Sequence, residues 1–238
     1  MVYFTGDIHR YVNKLLRNLE YLNIPHESNQ IIVLLGDVGI NYMLDMSDKV
    51  EKEKLQSSGR TYFCIQGNHE LRPENIDSYK IKEWNGGKVY IEDDYPNLIF
   101  AKDGEVYCID GKSYLVLGGA YSVDKYYRLM MGHRWFKDEQ IALEHRPQLM
   151  SKIKQIKEVD IVLSHTCPAQ WQPTDLFLDG LDQSTVDNTM EEWLSDVEKN
   201  LNYKHWLFGH FHANRKINDK ATMLYGKIIS INDLMEET

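Results

Sequence analysis

The sequence predicts a layered α/β domain with mixed β-sheets, and three observations support this prediction. Short apolar runs end repeatedly at glycine-containing turns, as is typical of strands that are buried on both faces. Between several of these runs, apolar residues recur at three- and four-residue spacing, which predicts amphipathic helices. Residues 86–119 contain consecutive strand-like segments with little helical pattern, so an antiparallel portion is expected beside the alternating βα portion.

The predicted elements follow one another along the whole chain. Six strands are expected in the runs VYFTGD (2–7), IIVLLGD (31–37), TYFCIQGN (61–68), YLVLGGA (114–120), DIVLSH (160–165) and HWLFGH (205–210). Helices are expected over residues 11–22 and 186–201, and either Ser184 or Thr185 is expected to cap the second helix. Pro147 indicates the start of another helical segment.

Composition and charge favour one domain, residues 1–238, without a nucleic-acid or membrane surface. Hydrophobic residues make up 42% of the 238 residues, enough for a substantial core. The net charge of -9 argues against non-specific electrostatic binding of long nucleic acids or anionic membranes. A local basic pocket is still compatible with this net charge. Because the N-terminus lacks a signal-peptide pattern and no apolar run approaches ~18 residues, we expect a soluble cytoplasmic protein.

The three cysteines are widely spaced and form no CxxC pair. This spacing argues against a disulfide framework and against a cysteine-ligated zinc site. Each of Cys64, Cys108 and Cys167 is expected to be a small buried apolar residue.

Polar residues stand at the carboxyl ends of five predicted strands, in the motifs GDIH, GDVG, GNHE, SHTCP and GHFH. They are Asp7, His9, Asp37, Asn68, His69, His165, His210 and His212. Taken alone, most of these motifs are more typical of a turn or of a hydrogen-bonded histidine, whereas GHFH alone is equally compatible with metal binding and with a structural role. Together they predict a metal site, because parallel strands deliver such residues to a common edge and nitrogen and oxygen donors suit Mn, Fe, Zn, Co or Ni. The other four histidines, at positions 26, 133, 145 and 205, are interpreted as structural.

The order D-x-H, G-D, G-N-H-E, H, G-H-x-H resembles the calcineurin-like metallophosphoesterase superfamily, from Asp7 to His212. The resemblance implies a four-layer α/β/β/α sandwich with two mixed β-sheets and two divalent cations at the sheet edges. Mn is the favoured metal, and Fe, Ni, Co or Zn are alternatives.

The resemblance also implies a role for each residue of the motifs. The ligands of one metal would be Asp7, His9 and His212. The ligands of the other metal would be Asn68, His165 and His210. Asp37 would bridge both metals, His69 would protonate the leaving oxygen as a general acid, and Glu70 would support the site through a hydrogen bond.

Two-metal chemistry explains why these residue types are needed. Two divalent ions about 3.5–4 Å apart can share a hydroxide, lower its pKa and hold it in line with a phosphorus atom. The ions also neutralise the phosphoryl oxygens, so Ser164 and Cys167 need no catalytic role. Ligand imidazoles must be neutral, and activity is therefore expected to fall below roughly pH 6.

Departures from the protein Ser/Thr phosphatase pattern bear on the substrate. GDVGINY and IQGNHE stand where those phosphatases show GDxxDRG and RGNHE, so their phosphate-binding arginines are missing. Residues 118–140 offer Tyr121, Lys125, Arg128 and Arg134 instead, and Arg128 is favoured as a phosphate contact over Tyr121 and Lys125. This segment can equally be an exposed loop that enters a helix.

The long connection over residues 167–185 can form a lid at the site. Trp171 and Phe177 either line a substrate pocket or pin this connection to the body, and the second reading is slightly favoured.

The sequence thus predicts a metal-dependent hydrolase of a small phosphodiester or phosphomonoester. A protein-phosphatase-like monoesterase and an inactive scaffold of the same fold are the alternatives, and the oligomeric state is left open.

Overall fold

The first β-sheet of the computed structural model has seven strands, and the structure describes residues 1–177, 180 and 182–236. Its strands are β1 (Val2–Thr5), β2 (Ile31–Leu34), β3 (Thr61–Cys64), β4 (Tyr79–Trp84), β5 (Gly87–Glu92), β6 (Leu98–Ala101) and β13 (Ile229–Ser230). They lie in the order β13-β1-β2-β3-β6-β5-β4. Strands β1, β2, β3 and β6 are parallel, while β13, β5 and β4 are antiparallel to their neighbours.

The second β-sheet has six strands within the described part of the chain. They are β7 (Val106–Ile109), β8 (Lys112–Leu117), β9 (Val159–Ser164), β10 (Tyr203–Phe208), β11 (Arg215–Asn218) and β12 (Ala221–Met223). Their order is β11-β12-β10-β9-β8-β7, with β8, β9, β10 and β12 parallel and the two edge strands antiparallel. All six predicted βα strands are therefore present, three in each sheet.

Three hydrophobic cores, formed by the residues that the structure describes, separate four layers. The helices are α1 (Val12–Tyr21), α2 (Met46–Ser57), α3 (Lys125–Met130), α4 (Arg146–Ile153), α5 (Thr189–Asn200) and α6 (Ile231–Glu236). Helices α1 and α2 cover the outer face of the first sheet, and α4 and α5 cover the outer face of the second. The third core lies between the sheets. This arrangement confirms the predicted α/β/β/α sandwich with two mixed sheets.

The alternation of side chains along β2 shows how the sequence builds these layers. Ile32 and Leu34 face α1 and α2, whereas Val33, between them, packs in the core between the sheets. Because successive side chains of a strand point to opposite faces, a continuous apolar run is needed when both faces are buried. The apolar runs of the sequence thus correspond to strands covered on both sides.

Some local predictions were wrong. Ser184 and Thr185 lie in a separate 3-10 turn, and α5 begins later, after Asn188, with the Asp187 carboxylate accepting the Thr189 backbone N–H at 2.9 Å. Cys108 is exposed because β7 is an edge strand, whereas Cys64 and Cys167 are buried as expected.

Helix α2 was not predicted, because its apolar periodicity is weak and most of its residues are polar. A buried ion pair helps to attach it to the first sheet, with Lys52 Nζ 2.5 Å from Glu92 Oε2. Such a contact joins residues 40 positions apart and leaves no local pattern in the sequence.

The connection after β9 is attached to the second sheet by aromatic contacts. Trp171 is buried with its ring edge-on to Trp206 at 5.4 Å, and Phe177 stacks on Phe211 at 6.5 Å. Both contacts agree with the reading that these residues pin the connection to the body.

No helix among residues 1–177, 180 and 182–236 combines the length and apolar character needed to cross a bilayer.

We predict that Phe63→Ala lowers the free energy of unfolding by about 3–5 kcal/mol, because the fully buried ring leaves a cavity. Phe63 packs between Trp84 and Tyr107, at ring-centroid distances of 5.0 and 4.9 Å. Urea unfolding measures the change, with Tyr21→Ala, 85% exposed at the end of α1, as the matched control. A decrease in the free energy of unfolding no larger than that of Tyr21→Ala would contradict the burial of Phe63 in the core between the sheets.

Candidate metal centre

The carboxyl ends of strands from both sheets meet at one edge of the sandwich. Asp7, Asp37 and Asn68 follow β1, β2 and β3 of the first sheet, and His165 and His210 follow β9 and β10 of the second. The Asp7 carboxylate accepts the His210 backbone N–H at 3.0 Å, a contact that joins the two sheets at this edge. The predicted strand-end residues are thus brought together.

One group of donor atoms consists of Asp7, His9 and His212. The Nε2 atoms of His9 and His212 are 2.8 Å apart, and His212 Nε2 lies 3.9 Å from Asp7 Oδ1. All three residues place one donor atom within 4.8 Å of the others. Two imidazole nitrogens and a carboxylate that converge on one point form a donor set that fits a divalent transition-metal ion.

A second group of donor atoms surrounds the fully buried His165. Its Nε2 lies 2.8 Å from Asn68 Oδ1 and 3.5 Å from Asp37 Oδ1, and one oxygen of Asp7 falls within 4.8 Å as well. The His210 ring lies beside it, at a centroid distance of 5.1 Å. Asp7 therefore belongs to both donor groups. The sequence had assigned it to one metal only.

Asp37 lies between the two groups. While Oδ1 faces His165, Oδ2 is 3.8 Å from His9 Nε2 and 3.8 Å from His69 Nε2. A carboxylate in this position has one oxygen for each group, as a bridging ligand requires.

Close packing of the strand ends explains two of the glycines in the motifs. A Cβ atom on Gly36 would lie 2.1 Å from His165 Nδ1, and one on Gly67 would lie 2.2 Å from Asp37 Oδ1. Only a residue without a side chain allows the neighbouring strand ends to approach this closely.

The backbone itself is unusual at the cluster. Five predicted ligands have positive φ angles between 42° and 70°: Asp7, His9, Asp37, His210 and His212. This left-handed region is unfavourable for residues with a side chain and is concentrated at functional sites, where the surrounding structure enforces it.

Hydrogen bonds from the backbone fix the orientation of the buried groups. His165 Nδ1 donates to the Leu35 carbonyl at 2.7 Å, which turns Nε2 toward the cluster. Asp37 Oδ1 accepts the His69 backbone N–H at 2.9 Å. Glu70 accepts from the backbone N–H groups of the turn after Asp37, at 3.2 and 3.0 Å, and so supports that turn as expected.

Burial and mutual charge shift the pKa values of the acidic and basic groups. Burial raises the pKa of Asp7 to about 8. Burial also opposes ionisation of Asp37, but the nearby imidazoles of His165 and His69 hold its pKa well below the usual range. The pKa of His165 rises to about 9, since the attraction of Asp37 outweighs the effect of burial.

The remaining histidines are shifted in the opposite direction. Burial and the neighbouring His9 lower the pKa of His212 to about 4, and burial together with His165 lowers the pKa of His210 well below its ordinary value. Both imidazoles are therefore neutral at physiological pH and have a lone pair available for a cation.

His69 and Arg128 lie on the solvent side of the cluster. Arg128 Nη2 donates to His69 Nε2 at 3.3 Å, and burial lowers the pKa of His69. Arg128 Nε donates to both oxygens of Asp124 at 2.8 Å, and its Nη1 donates to the Tyr42 hydroxyl at 3.4 Å. The sequence-predicted Arg128 thus lies beside the predicted general acid.

The two weaker candidates lie differently. Lys125 Nζ sits 4.0 Å from the centroid of the Trp135 ring. Across the described ranges 1–177, 180 and 182–236, no hydrogen bond joins Tyr121 or Lys125 to the donor groups. Their substrate contact stays a prediction.

Three residues beside the cluster were not singled out from the sequence. Ser122 Oγ accepts from Asn68 Nδ2 at 2.8 Å, which directs the amide oxygen of Asn68 toward His165. Asp124 and Tyr42 hold Arg128. The four-residue spacing of Asp124 and Arg128 was a usable signal for an ion pair on a helix, whereas the Ser122 and Tyr42 contacts depend on tertiary structure.

A two-sheet α/β sandwich with Asp, Asn and His gathered where strands of both sheets end is typical of metallophosphoesterases. The family model of the calcineurin-like phosphoesterases matches residues 1–214, and the chain belongs to this family. Members of this family generally hydrolyse phosphoesters with divalent metal ions.

Solved structures agree on the fold. The crystal structure of TT1561 of Thermus thermophilus is similar with a TM-score of 0.52 and 14% identity, over 100% of this chain and 95% of that chain. A second solved structure is similar with a TM-score of 0.51 and 11% identity, over 94% of this chain and 88% of that chain. These low identities support the fold alone. No curated protein matches the chain significantly.

We predict that the melting temperature of the metal-free protein falls as the pH rises from about 6.5 to 8.5. Burial raises the pKa values of Asp7 and Glu70 to about 8, so the folded state keeps protons that the unfolded state has already released. The raised pKa of His165 acts in the same direction, since its stabilising charge is lost as the pH rises toward about 9. Histidines with lowered pKa values act only below about 6.5, outside this window.

Differential scanning fluorimetry after chelation and dialysis measures this dependence. Saturating Mn²⁺ is expected to raise the melting temperature more at pH 8.5 than at pH 6.5, because the cation replaces the lost protons. Glu70→Gln is expected to flatten the metal-free profile. A metal-free melting temperature that is constant or rises over this range contradicts the prediction.

Proposed function

We propose that this protein is a phosphate-ester hydrolase that uses two divalent cations, with Mn²⁺ favoured and Fe, Ni, Co or Zn as alternatives. The observation that carries the proposal is a pair of donor groups at one edge of the sandwich, which have Asp7 in common and the Asp37 carboxylate between them. Membership of the calcineurin-like phosphoesterases supports the reaction class.

In this proposal the predicted ligands keep their roles. One cation would be held by Asp7, His9 and His212. The other would be held by Asn68, His165 and His210. Asp37 would contribute to both, and the bound cations would supply the positive charge that activates water and neutralises phosphoryl oxygens. On binding the cations, Asp7 and His165, whose pKa values are raised to about 8 and about 9, would release their protons. The carboxylate and amide oxygens and the imidazole nitrogens would then supply the donors, and their hydrogen bonds keep them oriented.

His69 is proposed as the general acid. Its side chain is 17% exposed and belongs to neither donor group, so it faces the space where an ester would lie. In the absence of substrate its Nε2 accepts a hydrogen bond from Arg128. A phosphate oxygen that takes over this donor would free Nε2, and the phosphate charge would favour protonation of the ring. The resulting imidazolium can then protonate the leaving oxygen.

Arg128 is proposed as the phosphate contact that replaces the arginines of the protein Ser/Thr phosphatases. Its guanidinium is held by Asp124 on one side and reaches Tyr42 and His69 on the other. A fixed, planar donor suits a phosphate oxygen. Because Arg128 is the arginine that contacts His69 among the described residues and the protein-phosphatase arginines are missing, a small phosphodiester is favoured, and a monoester follows closely.

Two alternatives are less well supported. A protein-phosphatase-like monoesterase would be expected to carry the missing arginines. An inactive scaffold would be expected to lack ligands or the acid, yet all seven ligand positions and His69 are present.

The proposal is tested with bis-p-nitrophenyl phosphate and p-nitrophenyl phosphate in the presence of Mn²⁺, Ni²⁺, Co²⁺, Mg²⁺ or Zn²⁺. We predict turnover with at least one metal, and that His69→Ala lowers kcat by about 10²–10⁴ on esters with poor leaving groups. The loss should be much smaller with p-nitrophenolate, which leaves without help from an acid.

His145→Ala, an exposed histidine at the start of α4, is the control and should match the unmutated protein. Metal content is measured in parallel, because a variant that loses its cations would lose rate on all esters equally. The absence of turnover with every metal would exclude the enzyme and favour the scaffold. Equal losses for good and poor leaving groups would remove the acid role of His69.

We also predict that Arg128→Ala lowers kcat/KM by about 10- to 100-fold, because a hydrogen bond to a charged phosphate contributes about 1.5–3 kcal/mol. The inhibition constant of inorganic phosphate should rise by a similar factor. Asp124→Asn should cause a smaller loss, since the guanidinium remains but is less firmly held. Arg134→Ala, which removes an exposed arginine six residues away, is the control. An unchanged phosphate affinity in Arg128→Ala would refute the contact.

A further inference from the structure

Exposed apolar side chains are concentrated beside Arg128. Of 18 large apolar residues described as exposed, nine lie in two short segments, residues 43–46 and 123–131. We call these nine residues the apolar rim: Met43, Leu44, Met46, Val123, Tyr126, Tyr127, Leu129, Met130 and Met131. Single exposed apolar residues are common on proteins, but a concentration of this kind marks an interaction site.

The two segments of the apolar rim border the opening of the candidate metal centre. Tyr42, directly before the first segment, contacts Arg128 within the second segment at 3.4 Å. The Tyr42 ring also packs edge-on against Phe136 at 6.1 Å. Backbone N–H groups of Met43 and Leu44 donate to the Asp48 carboxylate, which holds the first segment in place.

Helix α3 does not use its apolar residues for the core. None of its residues is buried, and Tyr126 and Met130 are 69% and 76% exposed. Its attachments are polar: Arg128 pairs with Asp124, and Lys125 lies over the Trp135 ring. Because exposing apolar surface to water costs free energy, a helix of this composition is best explained by a ligand that covers it.

The local charge indicates what kind of ligand fits. Residues 123–135 contain Lys125, Arg128 and Arg134 against Asp124, and residues 43–46 add Asp45, so three cations stand against two carboxylates in a chain with a net charge of -9. The surface therefore combines a positive charge at the site opening with apolar and methionine-rich walls. Methionine side chains adapt to irregular apolar shapes. An anionic head with an apolar body matches this combination.

We propose that the substrates of this centre are amphiphilic phosphate esters, dissolved as single molecules, whose phosphate lies at the metal centre and Arg128 and whose apolar ester group packs on the apolar rim. This inference rests on the proposed function and adds the substrate class to it. In the reaction, water forms a new bond to phosphorus as the bond to one ester oxygen breaks. The departing oxygen takes a proton, and the apolar group remains on one of the two products.

The test uses methyl, butyl and octyl p-nitrophenyl phosphates with Mn²⁺, each below the concentration at which it forms micelles. We expect kcat/KM to rise with chain length by up to about fourfold per buried methylene, from about 0.8 kcal/mol for each. The octyl-to-methyl ratio of kcat/KM is the readout, since it cancels any general effect of a substitution on the centre.

The variant Tyr126→Ser/Leu129→Ser/Met130→Ser is expected to lower the octyl-to-methyl ratio toward one. All three residues are exposed and outside the core, so the fold should be retained, which circular dichroism checks. Leu143→Ser, 63% exposed in another segment, is the matched control and should keep the unmutated ratio.

The possible failures are distinguishable. Turnover with a flat ratio overturns the inference and leaves the proposed function intact. If the octyl-to-methyl ratio is flat and the protein co-sediments with phosphatidylglycerol vesicles, the apolar rim binds a bilayer and the inference is overturned. If the ratio is flat and analytical ultracentrifugation shows a dimer, the apolar rim binds a second copy and the inference is likewise overturned. If no ester is turned over, the proposed function fails, and calorimetric titration with methyl and octyl phosphonate still decides the inference. Equal affinities for these two phosphonates would overturn it.

Discussion

Asp7 and Asp37 lie almost entirely out of solvent, within a few ångströms of each other and of the fully buried His165. Burying two carboxylates is costly unless positive charge and hydrogen-bond donors compensate them. Backbone N–H groups of His69 and His210 supply part of this compensation, and the His165 imidazole supplies another part. The proposed cations would complete it. The arrangement of strand ends around the two carboxylates follows from this need.

The sandwich holds that arrangement in place. Two sheets, each covered by helices, are joined by one core, so the carboxyl ends of β1–β3 and of β9–β10 have little freedom to separate. Unfavourable left-handed backbone at Asp7, Asp37 and His210 is tolerated because its surroundings enforce it. Rigid donors then need no reorganisation to bind a ligand, which is what efficient electrostatic catalysis requires.

The solvent side of the site is built differently. Arg128 reaches His69 from a short, exposed helix, and it is held by one carboxylate and one hydroxyl rather than by a core. The buried donor groups thus define the proposed chemistry, whereas Arg128 and His69 on the solvent side define which substrates can reach the donor groups. This division explains how a chain can keep the strand-end sequence motifs that resemble those of its family while lacking the arginines of the protein phosphatases.

The sequence by itself determined a layered α/β domain, its buried βα strands and the residues at their ends, because apolar runs and the motifs that follow them are local features. The four-layer sandwich was implied by the resemblance of these motifs to a family. It did not determine α2, the start of α5 or the surroundings of the donor groups. Lys52 pairs with Glu92 across 40 positions, Asn68 meets Ser122 across 54, and Arg128 meets His69 across 59. Only tertiary structure brings Asp7 into both donor groups and the apolar rim next to Arg128. These contacts form when distant segments pack together, so no local sequence pattern predicts them.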